Sequence, residues 1–86
     1  DFQKINIPKL PVFTTEDGIN RIKDFFGKLD EWKNISELIP ESFKTSSNLK
    51  RTGQSGILAG SLELVKEGNI SIKQNNLFED IFIKEN

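Results

Sequence analysis

The side chains that could act as nucleophiles in this 86-residue sequence are serines and lysines, because the chain contains neither histidine nor cysteine. Histidine is the commonest general base and metal ligand, and cysteine supplies reactive thiolates. A serine–lysine pair can replace them, and Ser55 and Ser61 lie between Lys50 and Lys66 in the sequence. No catalytic motif accompanies that spacing, so these residues do not predict nucleophilic catalysis.

Paired carboxylates and a glycine-rich segment are two further patterns that could carry chemistry. Glu16–Asp17 and Glu79–Asp80 are neighbours in sequence, and consecutive side chains point to different faces of a helix or strand. We interpret them as surface or capping charges. Gly53, Gly56 and Gly60 lack the Gly-Lys-Ser/Thr element and the preceding strand of a phosphate-binding loop. The sequence therefore predicts a protein that is not an enzyme and takes no metal or cofactor.

Charge and hydropathy limit the partners that the chain can bind. Twelve basic and thirteen acidic residues give a net charge of −1, with no block of Lys and Arg, so strong binding to nucleic acid is not predicted. The apolar runs are too short to span a membrane, and no signal peptide is recognisable. We expect a cytoplasmic protein and, because the chain has no methionine, a fragment of a longer one.

The first part of the chain divides into an extended segment and a helix. Pro8 and Pro11 exclude a helix interior, so residues 1–13 are predicted to be an extended lead-in from an upstream linker, which either crosses the domain or ends the linker. Thr14 or Thr15 can cap a helix that ends near Asp30. Its apolar stripe, predicted to face the core, consists of Ile19, Ile22, Phe25, Phe26 and Leu29.

Two more helices and a hairpin are predicted downstream. A brief second helix begins at Asn34 or Ser36 and ends before Pro40, and a third runs from about Asn48 to Glu67, ending at Gly68. In that third helix we interpret Gly56 and Gly60 as the contact of a close helix crossing. Alternating apolar residues over 69–74 and 80–84 predict a β-hairpin. Residues 14–86 thus predict an α+β winged-helix domain, three helices followed by a C-terminal β-hairpin wing.

Several ordered motifs resemble one bacterial family. The segments Leu58–Gln74 (LAGSLELVKEGNISIKQ) and Phe78–Ile83 (FEDIFI) resemble the closing segment of the kleisin family of segregation and condensation protein A (ScpA). Upstream, Val12–Ile22 (VFTTEDGINRI) and Leu29–Trp32 (LDEW) resemble the opening helix of its C-terminal domain and the exit from that helix. The sequence departs from the family pattern at Gly18, Leu58, Gly60, Leu77 and Glu79.

The resemblance implies a bridging role in chromosome segregation and condensation. Kleisins link the two ATPase heads of a structural-maintenance-of-chromosomes (SMC) dimer, and the C-terminal domain docks on one head. The middle of such a protein binds segregation and condensation protein B (ScpB), through a region that this chain lacks. A nucleoid-associated location in the cytoplasm would follow.

The remaining question is which residues would contact a partner. At 100° per residue, Leu58 and Leu62 lie at the far edge of a wide apolar arc on the third helix, and Arg51 and Ser55 give that edge a polar rim. Phe82 lies on the opposite side of its strand from the core-facing isoleucines. We expect these five residues to bind the partner. Two alternatives are that Leu58 and Leu62 pack inside the domain, and that the domain binds DNA.

Overall fold

The computed structural model describes residues 12–76 and 80–86 of the chain. Two α-helices and three strands form the framework. Helix α1 spans Thr15–Lys23 and helix α2 spans Ser47–Lys66; the strands are β1 (Lys33–Asn34), β2 (Ile70–Gln74) and β3 (Ile81–Glu85). Two short 3-10 helices, Ile35–Leu38 and Glu41–Phe43, connect β1 to α2. The predicted lead-in, residues 1–13, lies almost wholly outside the described residues.

Helix α1 begins where the sequence predicts and ends earlier. The Thr14 hydroxyl accepts the backbone N–H of Asp17, and the Asp17 carboxylate accepts the backbone N–H of Thr14, which completes a capping box. The helix ends at Lys23, and the chain passes through tight turns to Gly27, whose φ of 91° strongly favours glycine. Leu29 still reaches the core, although a turn rather than a helix carries it there.

The prediction of three helices followed by a hairpin wing is wrong. The segment expected to form the second helix is a single 3-10 helix, Ile35–Leu38, because Pro40 disfavours the helical conformation at Ile39, which is extended. The preceding residues Lys33 and Asn34 pair with β3, and the Asn34 side chain also caps the 3-10 helix by accepting the backbone N–H of Ser36. The domain is therefore a small α+β fold with two α-helices and a three-stranded antiparallel sheet.

Glycines allow α1 and α2 to cross at backbone contact. A methyl group on Gly18 would overlap the carbonyl oxygen of Gly56, and one on Gly60 would lie 2.6 Å from the backbone nitrogen of Ile19. Both approaches are closer than any real Cβ atom allows, so no larger residue fits at Gly18 or Gly60 unless the helices separate. The predicted role of Gly56 and Gly60 as a helix-crossing contact is confirmed, and Gly18 completes that contact.

The sheet and α2 enclose the core. The strand order is β1-β3-β2, and both pairings are antiparallel. In register, Ile72 pairs with Ile83 and Lys73 pairs with Phe82, so Ile72 and Ile83 share the inner face of the sheet while Phe82 lies on the outer face. The fully buried apolar residues come from α1, α2, the first 3-10 helix, β2, β3 and the turn after α1: Ile22, Leu29, Ile35, Leu38, Ile57, Leu64, Ile70 and Ile83.

Candidate functional site: a groove between α2 and the hairpin

An apolar groove of about 280 Å³ separates part of α2 from the β2–β3 hairpin. Leu58 and Leu62 of α2 form one wall, and residues of the hairpin form the other: Ile72, Lys73, Gln74 and Ile81. The groove exists because the hairpin diverges from α2 along its length. Burial along β2 falls from the fully buried Ile70 to the exposed Gln74. The base of the hairpin therefore belongs to the core, and the end near its turn leaves apolar side chains accessible.

The two leucines of the groove differ in how far they are buried. Leu58 is half-buried and packs against the core. Leu62 is 49% exposed, which makes it one of the few large apolar side chains that the described part of the domain leaves open to solvent. The alternative that both leucines simply pack inside the domain holds for Leu58 in part and does not hold for Leu62. Burial of the exposed half of Leu62 by a partner would contribute about 1 kcal/mol.

Arg51 and Ser55, the predicted polar rim, lie on the same stripe of α2 as the two leucines. Leu58, Ser55 and Arg51 precede Leu62 by four, seven and eleven residues, which places all three within about 40° of Leu62 around the helix axis. The side chains of Arg51 and Ser55 are both exposed, and neither lines the groove. They extend the candidate surface toward the amino end of α2, with a cation at its end.

Phe82, the fifth predicted contact residue, lies away from the groove on the outer face of the sheet. The Lys73 ammonium is 4.4 Å from the centre of the Trp32 ring and 5.8 Å from that of Phe82, so cation–π contacts join these three side chains. Phe82 is half-buried and Trp32 is 39% exposed. The structure therefore brings Leu58 and Leu62 together with Ile72 and Ile81, and it separates Phe82 from them.

A second depression, of about 360 Å³, lies between α1 and the residues around it, and it is a weaker candidate. Its walls include Val12, Phe13 and Phe43, but polar and charged residues of α1 and its C-cap line the rest. One of these, Arg21, already donates its Nε–H to the carbonyl oxygen of Leu38 at 2.7 Å and lies over the Phe25 ring. The guanidinium therefore has partners within the domain, and its position has a structural explanation.

Sequence reasoning missed the hairpin side of the groove. Ile72 and Ile81 were expected to lie in the core because their alternation places them on the inner face of the hairpin. That face is correct, but both residues are only half-buried. Alternation along a strand reports which side a residue faces and not how far the strand stands from the helix, so no sequence signal marks the groove.

Neither a metal centre nor a membrane-spanning helix is found in the described parts of the chain. Within residues 12–76 and 80–86, no three acidic side chains come together in a way that could hold a metal ion. No helix in the same ranges has the length and apolar character needed to cross a membrane.

Comparisons with protein-family models, curated proteins and solved structures find no match to this chain. The groove and the residues around it therefore carry the functional argument.

Proposed function

We propose that this domain is a protein-docking module that binds its partner through the groove between α2 and the hairpin. The observation that carries the proposal is the exposed Leu62 beside an apolar cleft formed by Leu58, Ile72 and Ile81. Interfaces concentrate their binding energy in a small apolar centre surrounded by a polar rim. Arg51 and Ser55 supply such a rim toward the amino end of α2, and the polar residue Gln74 borders the groove at the hairpin.

The partner that we propose is the ATPase head of an SMC protein, and this rests on the resemblance to the kleisin family. The motif that ends α2 and enters β2, Leu58–Gln74, contains Leu62 and Ile72 of the groove, so part of the surface lies within the segment that resembles the family, although Leu58 itself departs from the family pattern. The proposal does not depend on a winged-helix fold. It implies a nucleoid-associated protein of the cytoplasm, and contact with ScpB would belong to an upstream region of a longer protein.

The DNA-binding alternative is less well supported by the same surface. A helix that reads DNA presents cations and hydrogen-bonding groups to the duplex, whereas the stripe of α2 contains Leu58 and the exposed Leu62 in its carboxyl half. The flanking Lys66 lies 3.7 Å from the Glu63 carboxylate, which offsets its charge. The stripe thus combines an apolar centre with few uncompensated cations, which favours a protein partner.

Calorimetric titration of this chain with a purified SMC ATPase head tests the proposal. We expect saturable 1:1 binding whose affinity changes little between low and high salt, because the contact is mainly apolar. A parallel titration with a short DNA duplex serves as the comparison. Absence of binding to the head would contradict the proposed partner, and duplex binding that weakens steeply with salt would support the DNA alternative instead.

A further inference from the structure

Strand β2 is an outer strand of the sheet in the described part of the chain. It pairs with β3 on one side, and none of the described strands pairs with its other side. An outer strand offers backbone N–H and C=O groups to any extended segment that can lie beside it. The groove described above lies between this strand and α2. A backbone edge and an apolar cleft are therefore neighbours.

Two hydrogen bonds at the base of the hairpin fix the direction of the backbone groups. The Asn86 N–H donates to the Asn69 carbonyl oxygen at 3.1 Å, so residue 86 faces β2 and residue 69 faces β3. The Glu85 N–H donates to the Leu29 carbonyl oxygen at 2.8 Å, on the opposite side of β3. The two bonds agree with each other, because backbone groups alternate between the two sides along an antiparallel strand.

Continuing that alternation along β2 identifies the groups at its outer edge. Ser71 and Lys73 direct their N–H and C=O groups toward β3, where they pair with Lys84 and Phe82. Ile72, between them, directs its backbone groups away from β3, toward the outer edge. Its half-buried side chain meanwhile lines the groove. One residue thus presents both a backbone donor and acceptor and part of the apolar cleft.

The geometry points to strand addition as the mode of docking: the partner supplies an extended segment that pairs with the outer edge of β2. Apolar side chains at every second position of that segment would enter the groove beside Leu58 and Leu62, and the intervening side chains would remain in solvent. This inference rests on the proposed function, because it names the shape of the partner segment that the same groove accepts. The backbone bonds would supply register, and the leucines would select apolar side chains.

A second copy of this chain fits the groove less well than a separate strand. In a symmetric pairing of two β2 edges, the inward-facing side chains available to the neighbouring groove would be those of β2 itself. Ile70 is 1% exposed in its own core and Ile72 is half-buried against its own helix, so neither can leave to fill another cleft. A partner segment with its own free apolar side chains does not have this conflict.

Residue-resolved amide hydrogen exchange, measured by NMR on the unmodified chain with and without a purified SMC head, tests the inference. In the free chain, the Ile72 amide should exchange faster than those of Ser71 and Lys73, which donate within the hairpin. On addition of the head, protection of Ile72 should rise by about tenfold or more, because its N–H acquires a partner strand. The Ser71 and Lys73 amides serve as internal controls and should change much less.

Three other outcomes would contradict strand addition, the docking function of the groove, or the identity of the occupant. If the head perturbs the Leu58 and Leu62 methyl resonances and leaves Ile72 exchange unchanged, the groove binds the partner but strand addition is wrong. If no resonance of the groove changes at saturating head, the proposed function fails as well. If Ile72 becomes protected in the free chain as its concentration rises, the occupant is a second copy, and the inference of a separate partner strand is overturned.

Discussion

The two sides of α2 differ in how closely they pack against the rest of the domain. On one side, a methyl group on Gly18 or Gly60 would overlap backbone atoms of the other helix, and a methyl group on Gly56 would overlap Phe13, which lies just before α1. On the other side, Leu58 and Leu62 border a cleft of about 280 Å³ that the described residues leave unfilled. Close backbone packing fixes the position of the helix, and that fixed position holds the leucines at a set distance from the hairpin.

This difference separates residues needed for folding from residues available for binding. A side chain on the crossing side cannot change without moving a helix, because its neighbours are backbone atoms. A side chain on the groove side has solvent as one neighbour, so its substitution should cost little stability. Substitutions on the crossing side should therefore lower the free energy of unfolding, and substitutions on the groove side should lower the affinity for a partner. Four predictions test this contrast, beginning with the largest expected change in stability.

Gly18→Ala should cause the largest loss of stability, although alanine is the better helix former. The intrinsic gain of about 1 kcal/mol is outweighed by overlap between the new methyl group and the Gly56 carbonyl oxygen, and we expect a net loss of about 3 kcal/mol. Chemical denaturation measures the free energy of unfolding. Gly53→Ala is the matched control, because the atoms nearest its methyl group, Cγ2 of Ile39 at 2.9 Å and Cβ of Phe43 at 3.3 Å, belong to side chains and not to the backbone. Equal effects of the two substitutions would refute the backbone-contact explanation.

Truncation of a leucine on α2 should cost more stability on the buried side of the helix than on the groove side. Leu64 is fully buried, so Leu64→Ala should lower the free energy of unfolding by about 3 kcal/mol through lost burial and a residual cavity. Leu62 lies about half a turn away on the same helix and is 49% exposed, so Leu62→Ala should cost less than about 1 kcal/mol. Thermal and urea unfolding of both variants check the contrast. A similar loss at the two positions would mean that Leu62 is a core residue.

The cap of α1 should contribute less to stability than either the glycine crossing or the buried Leu64. Thr14→Ala removes the hydroxyl that accepts the Asp17 N–H at 3.1 Å, and the expected cost is about 1 kcal/mol. The substitution leaves the glycine crossing and the groove unchanged, so partner binding by the folded variant should equal that of the wild type. Urea titration gives the stability, and calorimetry with the SMC head gives the affinity. A binding defect in the folded variant would show that α1 contributes to the docking surface.

Local signals in the sequence predicted much of this framework. Thr14 as a possible cap, the glycine crossing at Gly56 and Gly60, and the β-hairpin follow from capping chemistry, residue size and period-two alternation. The second helix was wrong because propensity over six residues is weak and the following Pro40 favours an extended residue. Strand β1, which consists of Lys33 and Asn34, is too short to show any alternation, and only its pairing with β3 defines it.

The candidate site could be predicted only in part. The arc of α2 indicated Leu58 and Leu62, because an apolar face wider than one core contact requires has side chains to spare. The spacing of Gly56 and Gly60 indicated a close crossing, but neither the partner residue Gly18 nor the distance between α2 and the hairpin could be predicted from a local pattern. The position of Phe82 across the sheet from the groove likewise required the strand register, in which Phe82 pairs with Lys73.

The affinity of Leu62→Glu for an SMC head tests the central claim most directly. Thr45→Glu is its matched control, since it places the same new charge on an exposed residue that lies before α2 and outside the groove. We predict that both variants unfold within about 1 kcal/mol of the wild type, that Thr45→Glu binds normally, and that Leu62→Glu loses roughly 100-fold in affinity. Wild-type affinity of a folded Leu62→Glu variant would contradict the claim that this groove is the docking surface.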